Sequence, residues 1–257
     1  MQDAGMMEIA GNPAAYTRYL EMQGENPLYS AGNIALAMVQ NPDATQIATA
    51  DRWKAMGRTV LEAEKSNGIE IFSRSSFGKG YTLANAYDIR QTFGRDVKQP
   101  VLKSDTPEME RALTALLNYS VVPVVMDNDM IIPAWYDSKN MELVIQPDYP
   151  DTESFAAIAA EVAHSRFHAK GSNPSYSHDE SDLDAHSVSY ILCKRFGIER
   201  NVPDLSSLQE LYEGWDAQDI RQALTCIQDM SKQIGGSIER SIAPQQHSRG
   251  NMRRPAR

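Results

Sequence analysis

The feature that most constrains the fold of this chain is the order in which its hydrophobic patterns change along the sequence. From Pro13 to about Gln40 the apolar residues recur at helical spacing, with a break at Asn26-Pro27, where proline disfavours a continuing helix. After Gly57 the pattern changes to short extended segments, at residues 59–61, 69–72 and 81–89. Helices followed by a small sheet predict a compact α+β module over residues 13–95.

A polar stretch from Gln91 to Thr106 has no sustained period and is predicted to be a linker. The segments beyond it are a helix at 108–118, a strand at 121–126, a hairpin between 130 and 145, and two long helices at 152–170 and 181–196. The predicted fold class is therefore α+β. It comprises a small domain at residues 1–98, a second domain with a hairpin and packed helices at residues 107–234, and a disordered basic tail at residues 235–257.

The formal net charge of −9 argues against a protein that holds nucleic acid by bulk electrostatics. The charge is unevenly distributed, however. Residues 1–100 contain 10 Lys and Arg against 11 Asp and Glu, a balance of −1, whereas residues 101–257 contain 15 against 23, a balance of −8. The N-terminal part can therefore carry a local basic surface. No apolar run approaches the roughly 20 residues of a membrane span, so a cytoplasmic protein without a membrane partner is predicted.

The predicted sheet region carries flat aromatic side chains interleaved with cations. The aromatics are Trp53, Phe72, Phe77, Tyr81 and Tyr87, and the cations are Arg52, Lys54, Arg58, Arg74 and Lys79. Such a mixture suits single-stranded nucleic acid, because bases stack on aromatic rings and cations bind phosphates. The alternative is that these rings form the core of a small domain, and composition alone favours that alternative. The candidate nucleic-acid-binding residues are Arg52, Trp53, Lys54, Arg58, Arg74, Lys79 and Tyr81.

The N-terminal hundred residues resemble the N-terminal domain of ArdC-type antirestriction proteins in the order of five short segments. These are Asn26-Pro27-Leu28-Tyr29-Ser30 with Gly32-Asn33, Asn41-Pro42-Asp43-Ala44-Thr45, Trp53 with Gly57-Arg58, Gly68-Ile69-Glu70-Ile71-Phe72, and Tyr87-Asp88-Ile89-Arg90-Gln91-Thr92. No single segment is specific, but their shared order and spacing argue against chance. The resemblance implies single-stranded-DNA binding in a protein encoded by a plasmid or conjugative element. Combined with the local charge balance of −1, it predicts weak, salt-sensitive binding with little sequence preference.

The second half resembles the metallopeptidase-like domain of the same proteins, which is related to the ImmA/IrrE zincins. In that family one helix carries His-Glu-x-x-His, whose histidines bind zinc and whose glutamate is the general base. The matching stretch here is Ala160-Glu161-Val162-Ala163-His164, in which alanine replaces the first ligand. The next helix, from Asp182 to Tyr190, is similar to the family's second metal helix, and the resemblance assigns its acidic ligand to Asp184.

Several arrangements could restore a metal site without an imidazole at Ala160. His164 and His168 lie one turn apart and could form a shifted pair completed by Asp184 or His186, or His178 could swing in from its loop. In a shifted pair Ser165 would occupy the position of the base, so metal binding without peptide hydrolysis is expected. Inheritance from a zincin ancestor also explains the clustering of these histidines without any present metal.

Two functions of different classes follow. The first is a single-stranded-DNA-binding protein with a pseudo-metallopeptidase domain, no cofactor, and a protein partner as a further possibility; the second is a zinc-dependent peptidase in which Glu161 is the base. Glu161 is expected to share a helix face with His164. If it is buried without zinc, it is expected to be hydrogen-bonded, to His164 or His186, because an unpaired buried carboxylate is costly. Asp184 is expected to face His164 across two packed helices. The chain could also be one piece of a larger mobile-element protein.

Overall fold

The computed structural model describes residues 1–74, 78, 80–169 and 175–243. Phe77, Lys79 and residues 244–257 of the predicted tail lie outside the described residues. No helix within the described ranges is long and apolar enough to cross a membrane.

Three helices open the chain: α1 (Gln2–Gly11), α2 (Pro13–Glu25) and α3 (Ala31–Gln40). The predicted break between α2 and α3 is confirmed. The Asn26 side chain secures it, since its amide donates to the Thr45 carbonyl at 2.6 Å and its oxygen accepts from the Ile47 N–H at 2.8 Å. Sequence patterning did not predict α1.

The next elements are β1 (Ile47–Thr49), α4 (Ala50–Ala55), β2 (Arg58–Val60), β3 (Ile69–Arg74), β4 (Tyr81–Asp88) and β5 (Thr92–Gly94). Strands β1, β4 and β3 form an antiparallel sheet in that order, and β2 pairs with β5. The three predicted strands are confirmed. The predicted linker is only partly irregular, because its first residues form β5.

The second half contains α5 (Pro107–Leu117), β6 (Val124–Met126), β7 (Ala134–Asp137), β8 (Glu142–Ile145), α6 (Asp151–Ala169), α7 (His178–Arg195), α8 (Leu208–Leu211) and α9 (Ala217–Ile242). The predicted hairpin is confirmed as β7–β8, and β6 joins it parallel to β8. The α+β class predicted from the sequence is therefore correct.

The predicted start of the disordered tail at residue 235 is wrong, because α9 continues to Ile242. Gly235 does not end the helix; instead it lets Arg195 approach. A Cβ at this position would clash with the Arg195 guanidinium. The Arg195 guanidinium also pairs with Glu239, one turn after Gly235 on α9, with Nη2 2.9 Å from the carboxylate.

A continuous hydrophobic core crosses the predicted domain boundary. Its buried members include Ile9, Tyr16 and Ile34 from the N-terminal helices together with Val188 and Leu224 from the second half. The only other cluster found among the described residues is small: Ala48, Trp53, Val60 and Tyr87. The domain boundary between residues 98 and 107 stays a prediction from the sequence. Because the core is shared, the two halves are expected to stay associated if the chain is cut there.

Limited trypsin digestion is expected to cut at the exposed Lys98 or Lys103 and to leave the two fragments associated. The reason is that the N-terminal helices bury their apolar side chains against α7 and α9. Gel filtration of the digest followed by denaturing electrophoresis makes the measurement. Fragments that elute separately as folded species would show two independent domains.

Candidate functional site

Polar side chains face one another across the packed helices α6 and α7. Glu161, His164 and His168 recur at positions i, i+3 and i+7 of α6. On α7, His178, Asp182 and His186 recur at i, i+4 and i+8. These spacings place each set on one helical face.

Glu161 is buried in this group, and one of its two carboxylate oxygens has two partners. Its Oε2 accepts a hydrogen bond from the Tyr136 backbone N–H of β7 at 2.9 Å and lies 3.4 Å from His178 Nε2. The expectation that buried Glu161 would be hydrogen-bonded is confirmed, although the partners are Tyr136 and His178 rather than His164 or His186.

His164 is fully buried, and its two ring nitrogens have different surroundings. Nδ1 lies 3.0 Å from the Tyr176 hydroxyl. Nε2 has no hydrogen-bond partner among the described residues; the nearest carboxylate oxygen, on Asp182, is 3.7 Å away. Burial, and then the charges of His178 and His186, lower the pKa of His164 to about 3, so the ring is neutral at pH 7.

His178 is held between two rings at the start of α7. Its imidazole stacks on Trp135 with centroids 4.3 Å apart and on His164 with centroids 3.8 Å apart. The hydrogen bond with Glu161 raises the pKa of His178, and the negative charges of Glu161 and Asp182 act in the same direction. The two stacking contacts and the contact with Glu161 hold the ring in place.

The structure brings Asp182, not Asp184, to the group. Asp182 Oδ1 lies 3.3 Å from His186 Nε2, and the other nitrogen of His186 accepts from Arg200. Two residues later on the helix, Asp184 lies near Tyr16, Tyr19 and Tyr212: burial raises the pKa of these three hydroxyls, and the charge of Asp184 acts in the same direction. Burial raises the pKa of Asp184 itself to about 7. The expectation that Asp184 faces His164 is therefore wrong, because a step of two residues turns the side chain to another side of the helix.

His168, predicted as a possible metal partner of His164, contacts two tyrosines instead. Its Nδ1 lies 2.6 Å from the Tyr136 hydroxyl, and its ring stacks on Tyr176 with centroids 4.5 Å apart. Glu161, His164 and His178 instead offer one ligand atom each, all within 4.8 Å of one another. A carboxylate and two imidazoles are donors that suit transition metals such as zinc. Ala160, one turn before His164 on α6, supplies no donor atom.

The predicted nucleic-acid residues divide by exposure. Arg74 and Tyr81 are exposed cross-strand partners in the β3–β4 hairpin, and the next pair on that face, Phe72 and Leu83, is exposed as well. We call Phe72, Arg74, Tyr81 and Leu83 the hairpin face. It presents two aromatic rings and a cation to solvent.

Two other candidate DNA-binding residues, Trp53 and Arg58, make contacts within the fold that explain their presence without DNA. Trp53 is 1% exposed and donates from its indole N–H to the Tyr87 carbonyl, so its ring offers no face to a base. The Arg58 guanidinium donates to the carbonyls of Ile89, Thr92 and Arg95. Arg52 and Lys54 are exposed on α4, and Lys79 lies outside the described residues.

Helix α3 covers the free edge of β3 and so positions the hairpin face. The Asn33 side chain donates to the Phe72 carbonyl at 2.8 Å and accepts from the Phe72 N–H at 2.9 Å. Gln40 makes the same pair of bonds with Glu70, each at 2.9 Å. Two side-chain amides thus replace the neighbouring strand that the edge of β3 lacks.

Comparison with known proteins places the fold. No protein-family model matches the chain, and no curated protein matches its sequence. Two crystal structures of the antirestriction protein ArdC from the R388 plasmid do match its structure. The Mn(II)-bound form has a TM-score of 0.54 at 14% identity over 95% of this chain and 97% of that one. The metal-free form has a TM-score of 0.53 at 13% identity over 95% and 98%. The chain therefore has an ArdC-like fold along nearly its whole length.

Proposed function

We propose that this protein is a single-stranded-DNA-binding protein of the antirestriction type, encoded by a plasmid or conjugative element, with a pseudo-metallopeptidase domain. The observation that carries the proposal is the hairpin face, where Tyr81 is 69% exposed and Phe72 is 42% exposed beside Arg74. Large exposed aromatics grouped on one face are uncommon without a binding role. The ArdC-like fold supports the same function.

The hairpin face continues toward α4 along the same side of the sheet. Because side chains alternate along a strand, Tyr81, Leu83, Asn85 and Tyr87 point to one side of β4. The last of them is buried with Trp53 under α4. Exposed Arg52 and Lys54 on α4 thus border the covered end of the face, where they can bind phosphates of a strand that stacks on Tyr81 and Phe72.

Fluorescence anisotropy of the full chain with a labelled oligonucleotide tests this function. Binding at low salt with little sequence preference is expected. Tyr81→Ala should weaken it about 10-fold, because stacking on an aromatic contributes about 1–3 kcal/mol per base. Arg74→Ala should make the plot of log affinity against log salt shallower by about 0.7, the slope lost with one phosphate contact to a single strand.

Arg111→Ala is the matched control for Arg74, since Arg111 lies on α5 and pairs with Glu108. It should leave both the affinity and the salt slope unchanged. Absence of binding by the parent chain at low salt would refute the DNA-binding proposal and favour a protein-interaction role.

The pseudo-peptidase part of the proposal rests on the side chains around Glu161. A zincin base must be free to accept a proton from a metal-bound water. Here the Glu161 carboxylate already accepts from Tyr136 N–H and contacts His178, and the first zinc ligand is Ala160. The alternative, an active zinc peptidase with another ligand set, predicts zinc-dependent cleavage of a casein substrate that Glu161→Gln abolishes. No cleavage above the level of that variant is expected.

A further inference from the structure

We propose that the free edge of β6 binds an extended, basic segment of another protein, which adds a fourth strand to the sheet of the second half. The strand order of this sheet is β6-β8-β7, so β6 has a neighbouring strand on one side only. The opposite edge lies near the polar group between α6 and α7, because there β7 donates the Tyr136 N–H to Glu161. The proposed surface is therefore separate from that group and from the hairpin face.

The main chain of β6 presents unused hydrogen-bonding groups at this edge. The Pro123 carbonyl and the Asp127 N–H bond to β8, at 2.9 Å and 3.0 Å. A strand in a parallel pair uses every second residue for the bonds to its neighbour, so the N–H and C=O of Val124 and Met126 point away from β8. Within the described ranges these groups have no hydrogen-bond partner. Unpaired main-chain groups at a sheet edge can accept another strand.

Apolar side chains surround this edge on both faces of the sheet. Val124, Val125 and Met126 are 37%, 38% and 60% exposed. Val125 lies beside Val144 of β8, which lies beside Trp135 of β7, on the face opposite the buried side chains of β8. Three apolar side chains thus form one row across the outer face of the sheet. Further exposed apolar side chains flank β6 in the chain: Val121, Ile131 and Ile132. Contiguous exposed apolar groups of this kind mark an interaction surface.

The charge around the apolar row determines which partner fits. Residues 121–148 contain five Asp and Glu against one Lys, a balance of −4. Glu142 and Asp137 are cross-strand partners on one side of the row, and Asp127 follows Val125 on the other side. These carboxylates repel nucleic acid, and a second copy of this chain, with its net charge of −9, would bring the same carboxylates to the edge. A peptide that carries Lys or Arg is complementary.

An extended peptide matches both the apolar and the main-chain features of the edge. Its side chains alternate between two directions, so one set would lie on the outer face beside Val125 and the other set beside Val124 and Met126. Its main chain would bond to the outward N–H and C=O groups of β6, which gives affinity, while the flanking carboxylates select cationic side chains.

Fluorescence anisotropy of the full chain with a labelled nine-residue peptide that alternates lysine with valine tests this surface. A peptide that alternates glutamate with valine is the matched control for charge. The lysine peptide should bind at least about 10-fold more tightly at low salt, and its binding should weaken as salt rises, because the selecting charges are exposed to solvent.

Substitutions on the edge separate the main-chain contribution from the charge contribution. Met126→Pro removes an N–H that points outward and no bond to β8, so it should weaken binding of the lysine peptide about 10-fold without lowering the melting temperature. Asp127→Asn combined with Glu142→Gln should bring the affinities of the two peptides closer together. The asparagine keeps the oxygen that accepts from the Asp129 N–H. Glu213→Gln, at an exposed position in the turn after α8, is the control and should change neither affinity.

Three results would overturn the proposal. The first is that the parent chain binds the two peptides equally or does not bind the lysine peptide. The second is that binding is unchanged in Met126→Pro, because the peptide would then be held by charge alone and not as an added strand. The third is that the parent elutes from gel filtration as a dimer and Met126→Pro as a monomer, because a second copy of the chain would then occupy the edge.

Discussion

Replacing Tyr16 by alanine is expected to lower the free energy of unfolding by about 4 kcal/mol, as is typical when a large buried aromatic is truncated. Tyr16 is fully buried on α2, where its ring lies beside Tyr19 at 6.3 Å between centroids. Its hydroxyl is 3.0 Å from the Ser187 hydroxyl of α7, so the truncation also leaves a buried serine without this partner. The loss is a large part of the stability of an ordinary protein.

A second measurement shows which parts of the chain this loss of stability affects. Because Tyr16 lies in the N-terminal part and packs on a helix of the second half, the whole molecule should melt in one transition, lowered by roughly 10 °C. Circular dichroism and tryptophan fluorescence, which has reporters at Trp53, Trp135 and Trp215, should give coincident curves. Tyr81→Ala is the matched control and should change the stability by less than about 0.5 kcal/mol, since Tyr81 is exposed. A second transition retained at the parent temperature would mean that the shared core does not unfold cooperatively.

Features that depend on neighbouring residues in the sequence were predictable. The α2–α3 break follows from Asn26-Pro27, and the β7–β8 hairpin from two short apolar segments around a polar turn. Helix α9 also carried a readable signal, because Ile220, Leu224 and Ile227 follow helical spacing. The prediction of a disordered tail from residue 235 rested on the Gly-, Ser- and Arg-rich composition that begins there. Helix α9 continues past this point, with Ile234 and Ile238 buried and Arg195 packed against Gly235.

The metal-ligand assignment shows where a resemblance and helical geometry disagree. Alignment with the zincin pattern selected Asp184, whereas the repeat of His178, Asp182 and His186 at every fourth residue marks one face of α7. That repeat was visible in the sequence and would have identified Asp182 as the acidic residue on the same face as His178 and His186. What the sequence could not provide is the pairing of this face with α6, because contacts between helices depend on the whole fold.

For the candidate DNA-binding residues, the sequence did not reveal which side chains are exposed. The sequence offers Trp53 and Tyr81 as equivalent aromatic candidates. In the structure, Trp53 is buried in a small core, whereas Tyr81 is exposed on the hairpin face. Arg58 and Arg74 differ in the same way: Arg58 donates to three backbone carbonyls, whereas Arg74 is exposed. Local composition does not determine which side of a sheet a helix covers, so exposure had to come from the structure.

Asn33→Asp is expected to lower the free energy of unfolding by about 3 kcal/mol, because aspartate can accept but cannot donate. The Phe72 carbonyl would lose its donor from α3 and would face a buried negative charge instead, since Asn33 is only 7% exposed. The change is nearly isosteric, so it isolates the hydrogen bonds from side-chain volume. Urea unfolding gives the free energy, and hydrogen exchange at the Phe72 amide reports whether the edge of β3 has loosened.

Gln40→Glu provides the matched comparison, because Gln40 makes the same two bonds to Glu70 at a more exposed position. There water can replace the lost donor, so a cost of about 1 kcal/mol is expected. If the edge contact positions the hairpin face for DNA, Asn33→Asp should also weaken oligonucleotide binding at temperatures where the chain is still folded, whereas Gln40→Glu should not. Equal and small effects of the two substitutions on stability would show that α3 is not needed to hold the edge of β3.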